Sequence, residues 1–129
     1  MELQQLREYL AQRPGVSSDY PFGAEVQVFR VKGKMFALVW VDERSLRVNL
    51  KCDPAEAQML RDVFEAVLPG YHMNKRHWNT VLLDGSLPNG EVERMIDNSY
   101  ALVVKGLRTA ERQALQLLTA QQQDQQQTT

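Results

Sequence analysis

Met35-Phe36-Ala37-Leu38-Val39-Trp40-Val41 is the stretch on which the fold turns. It is apolar at every position, rich in aromatic and β-branched residues, and far shorter than the ~20 residues a membrane-spanning helix needs. A strand with apolar side chains on both faces belongs at the centre of a sheet, between layers. Upstream, Val26, Val28, Phe29 and Val31 form a second strand-like run, separated from the first by Lys32-Gly33-Lys34. Two such runs split by a glycine between cations predict a hairpin with a basic tip. Downstream, Asp42-Glu43-Arg44 turns the chain. Leu46, Val48 and Leu50 then alternate with Ser45, Arg47, Asn49 and Lys51, the pattern of a strand buried on one side only.

Helical periodicity flanks this block. Leu3, Leu6 and Leu10 predict a short amphipathic helix stopped by Arg13-Pro14-Gly15. Residues 16–23 lack either period and read as a loop, which Tyr20 and Phe22 anchor to the core. Asp53-Pro54-Ala55-Glu56 is a helix start, with Asp53 as cap, Pro54 at the first turn and Glu56 closing a capping box. Ala57, Leu60, Val63, Phe64, Val67 and Leu68 extend that helix until Pro69-Gly70. A second hairpin follows: a short strand over Tyr71–Met73, a basic tip at Asn74–Arg76 and a longer strand from Trp78 to Leu83. After the turn-rich stretch 84–90, Val92, Met95, Ile96, Ser99, Tyr100, Val103, Val104 and Leu107 mark the main core helix. A last short helix runs from Thr109 to Leu118, and the glutamine-rich residues 120–129 are expected to form a disordered tail outside a single domain of residues 1–119.

The expected architecture is therefore α+β: helix, three antiparallel strands, helix, two strands, helix, and a short C-terminal helix. One mostly antiparallel sheet carries helices on one face, leaving its other face or its hairpin tips free for a partner. Fifteen Lys and Arg against sixteen Asp and Glu leave the chain of 129 residues near neutral. Bulk attraction to nucleic acid is thereby excluded, and any such binding needs a local patch. The single cysteine, Cys52, forms no internal disulfide, and the lack of an apolar export segment at the N-terminus fits a reducing cytoplasm.

Function is concentrated in Pro69-Gly70-Tyr71-His72-Met73-Asn74-Lys75-Arg76-His77-Trp78-Asn79-Thr80-Val81, which gathers both histidines, two aromatics and two adjacent cations without one carboxylate. Lys75 and Arg76, with His77 when protonated, join Lys32 and Lys34 to offer about four or five phosphate contacts, enough for weak and steeply salt-dependent binding. Arg76 suits a guanine edge, and Asn74 or Asn79 an adenine edge. Tyr71 or Trp78 can stack on an unpaired base, although an aromatic at the start of a strand equally suits the core. Lysine and asparagine at hairpin tips also serve solubility alone. His72 and His77 are not spaced as a helical metal pair, and Cys52 is distant, so no metal site is expected. No phosphate-cradling glycine loop or nucleophile elbow is present, and neither catalysis nor a cofactor is expected.

Gly70-Tyr71-His72-Met73-Asn74-Lys75, His77-Trp78, Thr80-Val81, Leu87-Pro88, Ile96-Asp97-Asn98-Ser99-Tyr100 and Val103 together resemble the MmcQ/YjbR family of small bacterial proteins. The resemblance runs from the first helix to about Leu107. It implies a fold like that of secretion chaperones and DNA binding through two hairpin wings, here assigned to His72, Asn74, Lys75, Arg76, His77 and Trp78 with Lys32 and Lys34. The expected partner is DNA, duplex or single-stranded, and no membrane. The chaperone-like fold and balanced charge suggest the alternative, a protein-interaction adaptor using the open sheet face.

Overall fold

A computed structural model of the chain describes the backbone of residues 1–127 and the side chains of residues 1–122. The architecture is α+β. Six antiparallel strands form one sheet: β1 (Val16–Asp19), β2 (Gln27–Val31), β3 (Lys34–Asp42), β4 (Ser45–Lys51), β5 (Val67–Pro69) and β6 (Trp78–Leu82), in the spatial order β1-β2-β3-β4-β6-β5. Four helices complete it: α1 (Leu3–Ala11), α2 (Pro54–Val63), α3 (Asn89–Lys105) and α4 (Thr109–Gln127).

The two central hairpins follow the expected plan. Lys32 and Gly33 have φ of 49° and 78°, and Glu43 and Arg44 have φ of 50° and 69°. Paired positive φ at the two turn residues is what a type I′ hairpin requires, and its twist matches that of the strands it joins. Asp53 Oδ2 accepts from the Ala55 and Glu56 amides, capping α2 behind Pro54.

The main core lies between the sheet and the helices. Leu6 and Leu10 of α1, Ala57 and Leu60 of α2, and Val92, Met95, Ile96 and Val103 of α3 pack on Phe29, Val39, Val48, Leu50 and Val81. α1 is also tied to α3 by polar groups, since the Tyr9 hydroxyl donates to Asp97 and Arg13 pairs with the same carboxylate. Asp97 thereby engages α1, and its neighbour Asn98 donates to Glu56 of α2.

A bulge decides how α3 seats. Phe29 pairs with Ala37 but Arg30 pairs with Met35, so Phe36 is the extra residue and turns its side chain into the helix-side core. Its ring meets Tyr100 edge-on at 5.5 Å. Beyond the last β3–β4 pair, Ala37 with Leu50, the Ser99 hydroxyl donates to the Phe36 carbonyl at 2.6 Å and accepts from the Lys51 amide at 2.8 Å. Ser99 is thus a hydrogen-bonding bridge in the ladder, more than the small packing residue its helix position suggests.

Four expectations change. Val16–Asp19 is an edge strand, not a loop, paired with β2 from Val16 opposite Val31 to Asp19 opposite Val28. α2 ends at Val63, where Phe64 is extended at φ −116° and ψ 122°, and Val67–Pro69 is a strand against β6. The second hairpin strand is therefore Val67–Pro69, and Tyr71–Met73 lies in the loop beyond it. Pro69 is tolerated because β5 is an edge strand. α4 continues past Leu118 to Gln127 where a disordered tail was expected, since glutamine is a good helix former. Residues 128 and 129 of that expected tail lie outside the described residues.

Ser99→Ala strands the buried Phe36 carbonyl and the half-buried Lys51 amide. It is expected to lower stability by about 2–3 kcal/mol, read from urea unfolding, against under about 0.5 kcal/mol for Ser86→Ala at the surface.

Candidate nucleic-acid interface

The helix-free face of the sheet carries a second, smaller cluster, Val28, Leu38 and Trp78, with Val26, Met35 and Met73 packed on it. No helix covers it. The two-sided burial expected for β3 is met here by loops: the β1–β2 connection brings Phe22 and Val26, and residues 70–77, which join β5 to β6, bring Tyr71, His72 and Met73.

Residues 70–77 fold back over the sheet because three elements hold them. The Gly70 amide donates to the Trp78 carbonyl at 3.0 Å. A Cβ on Gly70 would stand 2.7 Å from Trp78 Cβ and 2.8 Å from its carbonyl oxygen, so the close approach needs glycine. Next, the Tyr71 amide donates to Thr80 Oγ1 at 2.9 Å, the Thr80 hydroxyl to Asn49 Oδ1 at 2.5 Å, and Asn49 Nδ2 to the Tyr71 carbonyl at 2.9 Å. This closed ring is buried, with Asn49 2% and Thr80 1% exposed. Asn49 was expected on a solvated strand face, yet it anchors the loop. Finally, Asn74 Oδ1 accepts from the Arg76 amide at 3.0 Å, and the Asn74 carbonyl from the His77 amide, forming the turn that returns the chain to β6.

The register sets where the cations fall. β3 begins, β4 ends and β6 begins at one end of the sheet, where Ala37 is opposite Leu50 and Leu50 opposite Asn79. The Lys32-Gly33 turn and the 74–77 turn therefore share that end, with β3 and β6 two strand spacings, about 10 Å, apart. Lys32, Lys34, Asn74, Lys75, Arg76 and His77 are all exposed. Among the described residues, none of these cations or His77 lies within 4.0 Å of a carboxylate. The tips differ in form, however: the first is a tight hairpin turn, the second a loop folded against the sheet.

Other candidates fall elsewhere. Trp78 is 8% exposed under Val28 and Leu38, so it is a core residue and offers no open face for stacking. Asn79 is 2% exposed and donates to the Ala57 carbonyl, which removes it from any base edge. Tyr71 is 57% exposed. It lies near-parallel to Trp40, at 28° and 6.1 Å, and the His72 ring is tilted against it at 55° with centroids 4.1 Å apart. His72 adopts φ 59°, the left-handed conformation that turns the loop at this point. Among the described residues, no group of three His, Cys, Asp or Glu could hold a metal ion, and no helix is long and apolar enough to cross a membrane.

Phe22, Val26, Met35, Leu38, Trp40 and Tyr71 line most of a groove of about 370 Å³ on this face. Sequence reasoning missed Trp40 and Phe22 as site residues, and also Lys51, which pairs with Trp78 at the cationic end. The alternation of β4 was the available signal, since it put Arg47, Asn49 and Lys51 on one face. Cys52 stands apart: burial first, then Glu56 and Asp53, push its thiol up to about 11.

These features define a class: an α+β protein with helices on one face of an antiparallel sheet and a loop-framed apolar groove, cationic at one end, on the other. The chain belongs to the YjbR family, whose sequence model matches residues 11–102. It is 34% identical over 115 residues to the uncharacterized protein YjbR of Escherichia coli K12, covering 89% of this chain and 98% of that one. It is 36% identical over 94 residues to the uncharacterized protein YbdF of Escherichia coli O157:H7, covering 73% and 77%. Among solved structures, the Deinococcus radiodurans protein DR2400, a DUF419 domain, superposes with a TM-score of 0.82 at 38% identity over 88% of this chain and 86% of its own. A Pseudomonas syringae protein superposes with a TM-score of 0.71 at 32% identity, covering 79% and 98%.

Two outcomes test the site. Thr80→Val deletes the hydroxyl at nearly constant volume and is expected to cost about 1–3 kcal/mol in urea unfolding and to speed amide exchange at Tyr71, whereas Thr80→Ser retains both hydrogen bonds. Because the raised pKa depletes the thiolate, native protein at pH 8 is expected to react with a disulfide reagent far more slowly than denatured protein, with roughly one Cys52 in a thousand ionised.

Proposed function

We propose that the protein is a non-enzymatic, cytoplasmic DNA-binding protein that grips the phosphodiester backbone weakly with the loops at one end of its sheet. Lys75 and Arg76 are the principal contacts, and Lys32 and Lys34 the second. The observation that carries this reading is the antiparallel register, which gathers these cations at a shared end although the chain as a whole has a net charge of −1. On α2 and α3, Glu56, Asp62, Glu91, Glu93 and Asp97 outnumber Arg61, Arg94 and Lys105. A local cluster of cations on a chain of balanced charge gives a polyanion one end to meet. The four cations make few phosphate contacts, so affinity is modest and falls steeply with salt.

A second reading, a protein-interaction adaptor, draws support from the apolar groove, which also suits a bulky side chain of a polypeptide.

Replacing both Lys75 and Arg76 with alanine is expected to reduce the slope of log affinity against log salt by about 1–2 for duplex DNA while leaving the thermal midpoint unchanged. Fluorescence anisotropy titrations over a range of salt read the slope. Absence of binding by wild-type protein at low salt would reject the reading. A polypeptide partner that co-purifies through nuclease treatment and is lost on altering the groove would favour the adaptor.

A further inference from the structure

The groove behind the cationic loops has no role in backbone contact. Its position and lining assign it one. Trp40 and Tyr71 form a near-parallel aromatic wall, and Tyr71, fixed through its backbone amide and carbonyl, keeps its ring 57% exposed. Phe22, 65% exposed, faces them from the β1–β2 connection. No carboxylate is among the residues that line the groove. Two acids of the same face are each held by an arginine: Asp19 by Arg30 at 2.9 Å, and Asp42 by Arg47 at 4.0 Å. At the cationic end stand Lys34, which begins β3, and Lys51, which ends β4.

We infer that this groove takes unstacked nucleobases of a single-stranded nucleic acid whose phosphates run along the Lys32, Lys34, Lys51, Lys75 and Arg76 end. This deepens the proposed function and rests on it. The complementarity is of two kinds. An exposed aromatic face next to a row of cations is the combination by which single strands are held without sequence reading, the rings stacking bases and the cations tracking the backbone. A duplex cannot use the groove, because its bases are already paired and stacked; it meets only the loops. Selectivity for single strands therefore comes from the apolar floor, and the salt dependence from the rim. Tyr71 is the residue to test. Its side chain makes none of the hydrogen bonds that pin the loop, so the ring can be removed with those hydrogen bonds retained.

The experiment pairs a short homothymidine strand with a duplex of equal length in anisotropy titrations at one low salt concentration, alongside tryptophan fluorescence. Wild-type protein is expected to prefer the single strand and to show quenching on binding it. Tyr71→Ala is expected to lower single-strand affinity roughly 5- to 150-fold, the loss of one stacked base, with duplex affinity unchanged, and Tyr71→Phe to restore it. Trp40→Phe, which keeps a ring, is expected to abolish most of the quenching with a smaller loss of affinity. Equal affinity for both forms, unmoved by Tyr71→Ala, overturns the inference and leaves backbone binding by the loops standing. Absence of binding to either form overturns both. Quenching by an aromatic peptide but not by the oligonucleotide overturns the inference and hands the groove to a protein partner.

Discussion

A ring of three hydrogen bonds joining Asn49, Thr80 and the Tyr71 backbone holds the functional face together. Without it, residues 70–77 would be held only by the Gly70–Trp78 contact, the 74–77 turn and the packing of Met73, and the groove would lose the fixed position of Tyr71 in its wall. Burying an amide, a hydroxyl and a backbone N–H and C=O is costly unless every group is partnered, and these groups partner one another. The arrangement also separates two tasks at Tyr71. Its main chain secures the loop, and its ring stays more than half exposed.

The helix side is organised around a comparable economy of polar groups. The bulge at Phe36 puts a large aromatic into the core and interrupts the β2–β3 ladder, and beyond the end of the β3–β4 ladder Ser99 reaches from α3 to complete the hydrogen bonding of Phe36 and Lys51. α3 is thereby fixed at a defined height on the sheet, beside Tyr100, whose hydroxyl donates to the Pro14 carbonyl at 2.6 Å. With the helices packed on that side, the opposite face carries loops and exposed rings, with cations at its end. Polarity follows the same division, with acids on the outer helices and lysines at the sheet end.

Periodicity and turn chemistry, which are local, were enough for α1, the β2–β3–β4 meander, the start of α2 and the whole of α3, because each buries a regular face or begins at a recognisable cap. They were also enough to single out residues 69–81, whose composition is unusual wherever the chain places them. Local signals failed where pairing partners decide. Val16–Asp19 is polar and becomes a strand only because β2 offers an open edge. Val67–Pro69 continues the apolar spacing of α2, yet hydrogen bonding to β6 draws it into the sheet.

What the sequence by itself determined is the α+β class, the family and the residues that carry positive charge and aromatic surface, since these depend on residue type and spacing along one chain. Which of them are usable was settled by the tertiary structure alone. Trp78 and Tyr71 are both aromatics of one short segment, but the antiparallel register turns Trp78 under Val28 and Leu38 while the Asn49–Thr80 ring leaves Tyr71 facing outward. Exposure is a property of neighbours brought from distant parts of the chain, and no period within a single stretch encodes it.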